Sequence, residues 1–332
     1  MIKVAKFGGT SLADASQFRK VHDIVVDNDE RKFVVVSAPG KRFKDDNKIT
    51  DLLYLTHAHI KYSVPYDPVL KIIEDRFLQI KDELNLSVDI KHEFEIIKDN
   101  LKNKCDEDYV VSRGEYLSAV LLADYLGCSF IDATDVIFFN YDGSVNTEKT
   151  NVKLKELTKN VKKAVIPGFY GSYPDGSIKT FSRGGSDITG AIVASCINAD
   201  MYENWTDVSG FLMADPRIVK SPKQIKKITY QELRELSYMG ASVLHDEAVF
   251  PVREVGIPIN IKNTNELENP GTIIIGNGDM EEGYENEYII TGIAGKKNFT
   301  IFYVHKEHMA NEVGIIRKAL EIFEARDISV DH

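Results

Sequence analysis

Strand-like runs of apolar residues alternate with helical stretches along most of the chain. Parallel strands need a crossover connection, usually a helix, so this alternation is typical of an α/β domain with a largely parallel sheet. The runs are VAKF near the start, FVVVS at 33–37, CSFID at 128–132, AVIPGF at 164–169 and PINIK at 258–262.

A chain of 332 residues has room for two domains, one of them large. Residues 66–104 are helical and charged without a strand signal, which predicts a helical insertion in a large domain over 1–280. The Gly- and Glu-rich segment 276–288 is typical of a linker. Beyond it, 299–306 predicts a strand and 312–329 an amphipathic helix, so we predict a second, partial α/β domain over 284–332.

Composition excludes several classes of protein. The formal charge is -10, which argues against a nucleic-acid surface. Cys105, Cys128 and Cys196 are widely spaced without a CxxC motif, so disulfides and zinc are not expected. The start of the chain does not resemble a signal peptide, and no apolar run approaches the roughly 18 residues of a membrane span. We therefore expect a cytoplasmic protein that does not bind membranes.

The stretch KFGGTS at 6–11 has the chemistry of a phosphate site. A strand ending at Phe7 would deliver Lys6 to its carboxyl edge, and Gly8-Gly9 has no Cβ to keep backbone N–H groups from a bulky anion. Residues 10 and 11 are expected to open a helix, whose N-terminus favours negative charge. An ordinary turn is the competing interpretation of the two glycines.

Three later stretches place polar residues beside predicted helices. VVSAPGK ends a strand at Ser37, and SRGEYLSA is expected to place Glu115 at the opening of a helix. In TFSRGGSD, Arg183 offers a planar fork for a carboxylate, while Ser186 or Asp187 would also suit a helix cap. A turn after VVSAPGK and a carboxylate that only complements a helix dipole are the simpler alternatives.

The stretch WTDVSGFLMADPRIV at 205–219 follows another predicted strand. Thr206 and Asp207 stand at its end, and Asp215 and Arg217 flank a turn. These groups would suit the base, ribose and phosphates of a nucleotide, although a plain loop fits equally well. No histidine stands beside a serine or cysteine in a nucleophile motif.

Taken in order, KFGGTS, VVSA, GE.LSA, RGGSD, WTDV.G...ADPR and GA.VLH resemble the aspartate kinases of the amino-acid kinase family. The resemblance runs from Ile2 to about Thr272, and the last forty or so residues are similar to an ACT-type regulatory domain. It implies an amino-acid kinase three-layer α/β sandwich followed by a partial ACT-like domain. The implied reaction converts ATP and L-aspartate into ADP and 4-phospho-L-aspartate, the first step towards lysine, threonine and methionine, with Mg²⁺ arriving with ATP.

The resemblance also implies roles for individual residues. Lys6 and Asp187 would act in catalysis, with Lys6 neutralising the transferred phosphoryl group. Glu115 would take the ammonium of aspartate and Arg183 its α-carboxylate. Side chains near the reacting carboxylate would be Ser37 and Thr50. The nucleotide would be bound by Lys6, Gly8, Gly9, Thr206, Asp207, Asp215, Arg217 and Ser242.

The resemblance further implies regulation by lysine or threonine and a homodimer or higher homo-oligomer. The effector would be bound by Met309, Gly314, Ser329, Val330 and Asp331. Two positions depart from the family pattern: Ser242 stands where a lysine is usual, and Leu212 where a tyrosine is usual. Ser242 supports an alternative, an amino-acid sensor of the same fold with weak or no catalysis. A kinase of another small carboxylate is a further alternative.

Overall fold

The structure is a computed structural model. It describes residues 1–103, 105–182, 184–238, 244, 246–276, 290–295, 300–305, 313–328 and 330. The chain divides into two compact units, Met1–Gly295 and Lys296–His332. Among the described residues, no helix combines the length and hydrophobicity needed to cross a membrane.

The first unit is built on one eight-stranded sheet, with strand order β3-β4-β2-β1-β7-β9-β10-β8. All neighbouring strands are parallel except β9 and β10, which confirms the predicted largely parallel sheet. A separate hairpin pairs β5 with β6. The strands are β1 Lys3–Phe7, β2 Arg31–Val36, β3 Ser129–Phe130, β4 Ala164–Pro167, β5 Tyr170–Ser172, β6 Ile178–Thr180, β7 Met201–Thr206, β8 Lys227–Thr229, β9 Ile259–Asn263 and β10 Thr272–Ile275.

Helices cover both faces of this sheet. The described helices of the first unit are α1 Ala15–Asp27, α2 Ile49–Lys61, α3 Asp67–Leu84, α4 Ile90–Lys102, α5 Glu107–Leu126, α6 Ala133–Val136, α7 Thr147–Thr158, α8 Gly185–Cys196, α9 Tyr230–Tyr238 and α10 Phe250–Glu254. Single 3-10 turns are formed by Gly9–Leu12 and Asp246–Val249. Helices α3 and α4 confirm the helical character expected for residues 66–104.

Strand β1 shows how two cores form on opposite sides of the sheet. Ala5 and Phe7 are fully buried among residues of α1 to α5, whereas Val4 is buried among residues of α7 and α8. Successive side chains of a strand point to opposite faces, so Lys6 shares a face with Val4. The alternation in the sequence VAKF therefore directs the lysine towards the α8 side of the sheet.

Helix α1 begins later than the sequence predicted. Residues 10 and 11 lie in the 3-10 turn, and α1 starts at Ala15 with Asp14 as its N-cap. The Asp14 side chain accepts a hydrogen bond from the backbone of Gln17 at 3.0 Å, which satisfies a free N–H of the first turn. Asp14, a good capping residue five positions after Gly9, thus sets the start of the helix.

The second unit contains one described helix, α11 Ile315–Glu324, as predicted for 312–329. The strand predicted over 299–306 is wrong for its described part, because residues 300–305 have no strand assignment. Their side chains are all exposed, and no described strand pairs with them. A strand segment needs a partner for its backbone groups, so apolar composition alone does not make one.

Candidate active site

A cavity of about 550 Å³ lies at the carboxyl ends of β1, β2 and β7. Parallel strands end at a common edge, and loops from several of them converge there. The structure brings together most of the predicted substrate and nucleotide residues at its wall, namely Lys6, Gly8, Gly9, Ser37, Thr50, Glu115, Asp187, Thr206 and Asp207.

The carboxylate of Asp187, in the first turn of α8, holds the Lys6 side chain at this wall. Its Nζ lies 2.7 Å from Oδ1 of Asp187 in α8, and the two side chains are 8% and 21% exposed. The same Oδ1 accepts a hydrogen bond from Nδ2 of Asn204 in β7, at 2.8 Å. The cation is therefore fixed in position before any ligand binds, in surroundings largely removed from water.

The two glycine-containing loops beside Lys6 pack against each other through their backbones. Gly40 donates its N–H to the carbonyl of Gly9 at 2.7 Å, and Gly8 donates to the carbonyl of Trp205 at 2.9 Å. A Cβ on Gly9 would lie 2.8 Å from the carbonyl oxygen of Ala38, and one on Gly40 would lie 2.7 Å from the carbonyl carbon of Gly9. Only glycine fits at both positions without a shift of the backbone, which explains why glycine stands at each of them.

Helix α8 opens onto the same cavity. Its N-cap is Gly184, with φ 58°, a left-handed conformation that suits glycine. The N-cap position belongs to Gly184, and Ser186 and Asp187 lie within the first turn, so the capping interpretation of this stretch is wrong. Gly185 and Ser186 line the cavity. The N–H groups of a first helical turn have no partner within the helix, so this part of the cavity favours an anion.

Glu115 lies in the middle of α5, not at a helix start as the sequence analysis expected. The helix begins eight residues earlier, because the acidic residues of 106–108 suit its first turn better. Gly114 lets α5 approach the loop after β2: a Cβ there would lie 2.7 Å from Cβ of Ala38. The sequence signal was real, but it marks close packing of a helix interior.

The Glu115 carboxyl group is buried and only partly satisfied. Its Oε2 has no hydrogen-bond partner among the described residues, and the side chain lines the cavity. Burial raises its pKa to about 8, against the opposing effects of a hydrogen bond from the Ala38 backbone and the charges of Arg113 and Lys6. A cationic group bound in the cavity would favour the ionised form and satisfy the free oxygen.

Several residues at the cavity wall were not assigned by sequence reasoning. Lys48 precedes α2 at its N-cap position, and Tyr54 lies one helical turn after the predicted Thr50. The four-residue spacing from Thr50 was the available signal for Tyr54, since residues i and i+4 share a helix face. The other unassigned residues of the wall include Thr10, Lys41, Phe169 and Ser182.

Asp215 and Arg217 are not among the residues that line this cavity. Nη2 of Arg217 lies 2.6 Å from Oδ2 of Asp215, and Oδ1 of Asp215 accepts the Arg217 backbone N–H at 2.8 Å. The arginine side chain is 87% exposed. Their assignment to the nucleotide stays a prediction.

Some predicted residues lie outside the described residues, namely Arg183, Ser242, Met309, Ser329 and Asp331. Of the predicted effector residues, the structure describes two. Gly314 has φ 83° and precedes the first residue of α11, and Val330 is exposed. The roles of both remain predictions.

Comparison with known proteins agrees with the fold. The profile of the Amino acid kinase family matches residues 1–263, and the chain belongs to this family. Within the family it belongs with the aspartokinases: it is 37% identical to aspartokinase 3 of Bacillus subtilis, covering all of this chain and 75% of that protein. Chloroplastic aspartokinase 1 of Arabidopsis thaliana is 30% identical over 99% of this chain and 60% of its own length.

A solved structure is also similar to this chain over its whole length. The crystal structure of Clostridium acetobutylicum aspartate kinase superimposes with a TM-score of 0.93 at 54% sequence identity. The match covers all of this chain and 75% of the Clostridium chain. The chain thus spans about three-quarters of that protein and of the Bacillus relative.

Proposed function

We propose that this chain transfers the γ-phosphoryl group of ATP to the side-chain carboxylate of L-aspartate. The observation that carries the proposal is the buried Lys6–Asp187 pair, with 2.7 Å between Nζ and Oδ1, at the wall of a cavity that also contains the glycine loop and Glu115. The names of its aspartokinase relatives supply the substrate. The products are 4-phospho-L-aspartate and ADP.

The chemistry needs positioning and charge stabilisation more than proton transfer. The acceptor carboxylate is ionised at neutral pH, so it can attack the γ-phosphorus without a general base. Accordingly, none of the described residues that line the cavity is a histidine. The new bond joins a carboxylate oxygen to the γ-phosphorus, and the bond to the β–γ bridging oxygen breaks as ADP leaves. Lys6 lies where it can stabilise negative charge on the group in transfer.

The acceptor end of the cavity is suited to an amino acid. Glu115 offers an unsatisfied, buried carboxyl oxygen to the substrate ammonium. Arg183 is assigned to the α-carboxylate, because a guanidinium can bind it with two parallel hydrogen bonds. Ser37 and Thr50 also line the cavity, and they would hold the reacting carboxylate. A carboxylate for the substrate ammonium and a guanidinium for its α-carboxylate would together select a free amino acid.

The nucleotide would be bound by Gly8, Gly9, Thr206 and Asp207, which all line the cavity. Mg²⁺ bound to a nucleotide usually takes only one or two protein carboxylates and otherwise phosphate and water oxygens. Asp187 and Asp207 are the carboxylates of this wall that would hold it, and the described residues contain no cluster of three or more potential ligands. The donor set therefore fits a metal carried by the nucleotide, which supplies charge neutralisation when bound.

Regulation and assembly extend the same proposal. The Clostridium relative is described as an allosteric enzyme. In this chain, lysine or threonine would bind at the segment around Gly314 and Val330 and inhibit turnover, in a homodimer or larger homo-oligomer. The enzyme would act in the cytoplasm at the start of lysine, threonine and methionine synthesis.

The test is an assay that traps an acyl phosphate with hydroxylamine. Purified protein with ATP, Mg²⁺ and L-aspartate should form the hydroxamate, while N-acetyl-L-aspartate, which lacks the ammonium, should react far more slowly. If another small carboxylate reacts and aspartate does not, that carboxylate replaces L-aspartate as the proposed substrate. Binding of aspartate and ATP without hydroxamate would support the sensor alternative.

A further inference from the structure

Arg76, in α3, reaches from the helical segment 66–104 to two separate loops. Its side chain is 3% exposed. Nη1 donates to the carbonyls of Ala13 and Gly40, both at 3.3 Å, and Nη2 donates to Oδ1 and Oδ2 of Asp46 at 2.9 and 2.8 Å. One buried guanidinium therefore binds acceptors in two parts of the chain that are about 30 residues apart in sequence.

These two parts are the loops that form the wall beside Lys6. Ala13 ends the segment that starts at the glycine pair, while Gly40 and Asp46 belong to the loop between β2 and α2. The loops already touch where Gly40 donates to the carbonyl of Gly9. Arg76 binds on the side of the loops that is buried against α3, and it is not among the residues that line the cavity.

Asp46 is held firmly in this arrangement. Arg42 donates to it from its backbone at 3.0 Å and from Nε at 2.8 Å. The Arg42 side chain, with further contributions from backbone hydrogen bonds and the charge of Arg76, holds the pKa of Asp46 well below its ordinary value. Asp46 is therefore ionised in its contact with Arg76, and the loop between β2 and α2 carries a fixed, buried ion pair.

An arginine is needed for this geometry. The planar guanidinium directs several N–H groups in fixed directions, so it can bind a carboxylate with one nitrogen and backbone carbonyls with another. A lysine has one nitrogen and could reach only part of the set. The burial of the charge lowers the pKa of Arg76, chiefly by desolvation, and such a cost is justified only where the contacts are well formed.

We propose that Arg76 is a positioning residue that holds the glycine segment 8–13 and the loop 37–48 in fixed relation to each other. The proposal rests on the proposed function, in which the first segment binds nucleotide phosphates and the second holds the reacting carboxylate. Errors of about 1 Å in alignment can lower a reaction rate about 10²-fold without abolishing binding. Loss of Arg76 contacts is therefore expected to lower kcat more than it changes either KM.

The experiment compares Arg76→Lys with Glu74→Gln in the full chain. Glu74 belongs to the same helix but pairs with Lys98 of α4, at 3.1 Å, so its substitution loosens α3 without touching either loop. We expect Arg76→Lys to lower kcat by about 10²-fold and to change each KM by less than about threefold. Amide hydrogen exchange should become faster in residues 8–13 and 37–48 of this variant. Glu74→Gln should leave both readouts as in wild type.

The two readouts separate the possible outcomes. Unchanged kcat, unchanged exchange in the two loops, or equally faster exchange throughout the chain would each overturn the positioning role. If the wild type forms no hydroxamate, the proposed function fails, while the exchange data still decide whether Arg76 holds the loops. If Arg76→Lys does not fold, Asp46→Asn provides the same comparison, because it keeps the side-chain shape and removes the charge.

Discussion

Two ion pairs of this chain, Lys6–Asp187 and Arg217–Asp215, differ completely in their surroundings. Lys6 and Asp187 are far apart in sequence, lie in different elements and are largely buried at the cavity wall. Asp215 and Arg217 are two residues apart, lie in one turn, and the arginine is 87% exposed. The family resemblance assigns Lys6 and Asp187 to catalysis, and Lys6, Asp215 and Arg217 to nucleotide binding.

The difference lies in what each pair fixes. A short-range exposed pair is screened by water, so it contributes little rigidity to a site. A buried pair between a strand and a helix determines where a charge stands before the ligand arrives. Transfer of a phosphoryl group should therefore depend far more on Lys6 than on Arg217.

The largest expected effect is that of Lys6→Met. We expect kcat to fall by about 10²-fold or more, because the lost charge matters most as negative charge redistributes during transfer. Lys3→Met is the matched control: Lys3 lies in the same strand but pairs with Glu30, with 2.8 Å between Nζ and Oε2, outside the cavity. Steady-state kinetics of both variants would decide, and a near-normal kcat for Lys6→Met would remove this lysine from the mechanism.

Glu115 provides a second test of a buried charge at the cavity wall, because its Oε2 has no hydrogen-bond partner among the described residues. We expect Glu115→Gln to raise the KM for aspartate by about tenfold or more while the KM for ATP changes little, since the substrate ammonium loses its counter-charge. Glu107→Gln serves as control, because Glu107 lies in the same helix but pairs with His57. Equal increases of both KM values would assign Glu115 to the nucleotide instead.

The same residue predicts how stability depends on pH. Its pKa is about 8 in the folded protein against an ordinary value of 4.5, so the folded state binds this proton more tightly. The associated stability is fully present below about pH 4.5 and is lost as the pH rises through about 8. Between about pH 5 and pH 8.5, urea unfolding should show a smaller loss of stability in Glu115→Gln than in wild type, by about 1 kcal/mol or more. Identical slopes for the two proteins would contradict the raised pKa.

The smallest expected effect is that of Arg217→Ala. An exposed cation can add a contact to bound phosphates, but solvent screening keeps that contact weak. We expect the KM for ATP to rise by about three- to tenfold and kcat to stay within about twofold of wild type. A loss of kcat comparable to that of Lys6→Met would break the distinction between the two pairs.

Sequence reasoning succeeded where short-range patterns determine the structure. The apolar run VAKF predicted strand β1 and the position of Lys6 near its carboxyl edge. The double glycine at 8–9 marked a real requirement, since a Cβ on Gly9 would lie 2.8 Å from a backbone oxygen. The parallel sheet followed from strands alternating with helices, and it brought the loop residues of several strands to one edge.

Long-range contacts could not be predicted in the same way. Glu115 was placed at a helix start, because nothing in GEYLSA reveals that α5 begins at Glu107 and packs its centre against Ala38. Arg76 stands in a segment interpreted only as charged and helical, and its partners are Ala13, Gly40 and Asp46. A buried charge and an exposed charge have the same letter in a sequence, and only the packing around them separates the two.

The central claim is that the side-chain carboxylate of aspartate attacks the γ-phosphorus of ATP in the Lys6 cavity. It is tested most directly with L-aspartate carrying ¹⁸O in its side-chain carboxylate, with hydroxylamine present to release the phosphate from the acyl phosphate. Attack by hydroxylamine on the acyl carbon leaves the bridging oxygen with phosphorus. Phosphate carrying one ¹⁸O atom, detected by ³¹P NMR, is therefore the predicted result, and its formation should fall with Lys6→Met. Phosphate without ¹⁸O would mean that water or another group attacks ATP, and would contradict the account.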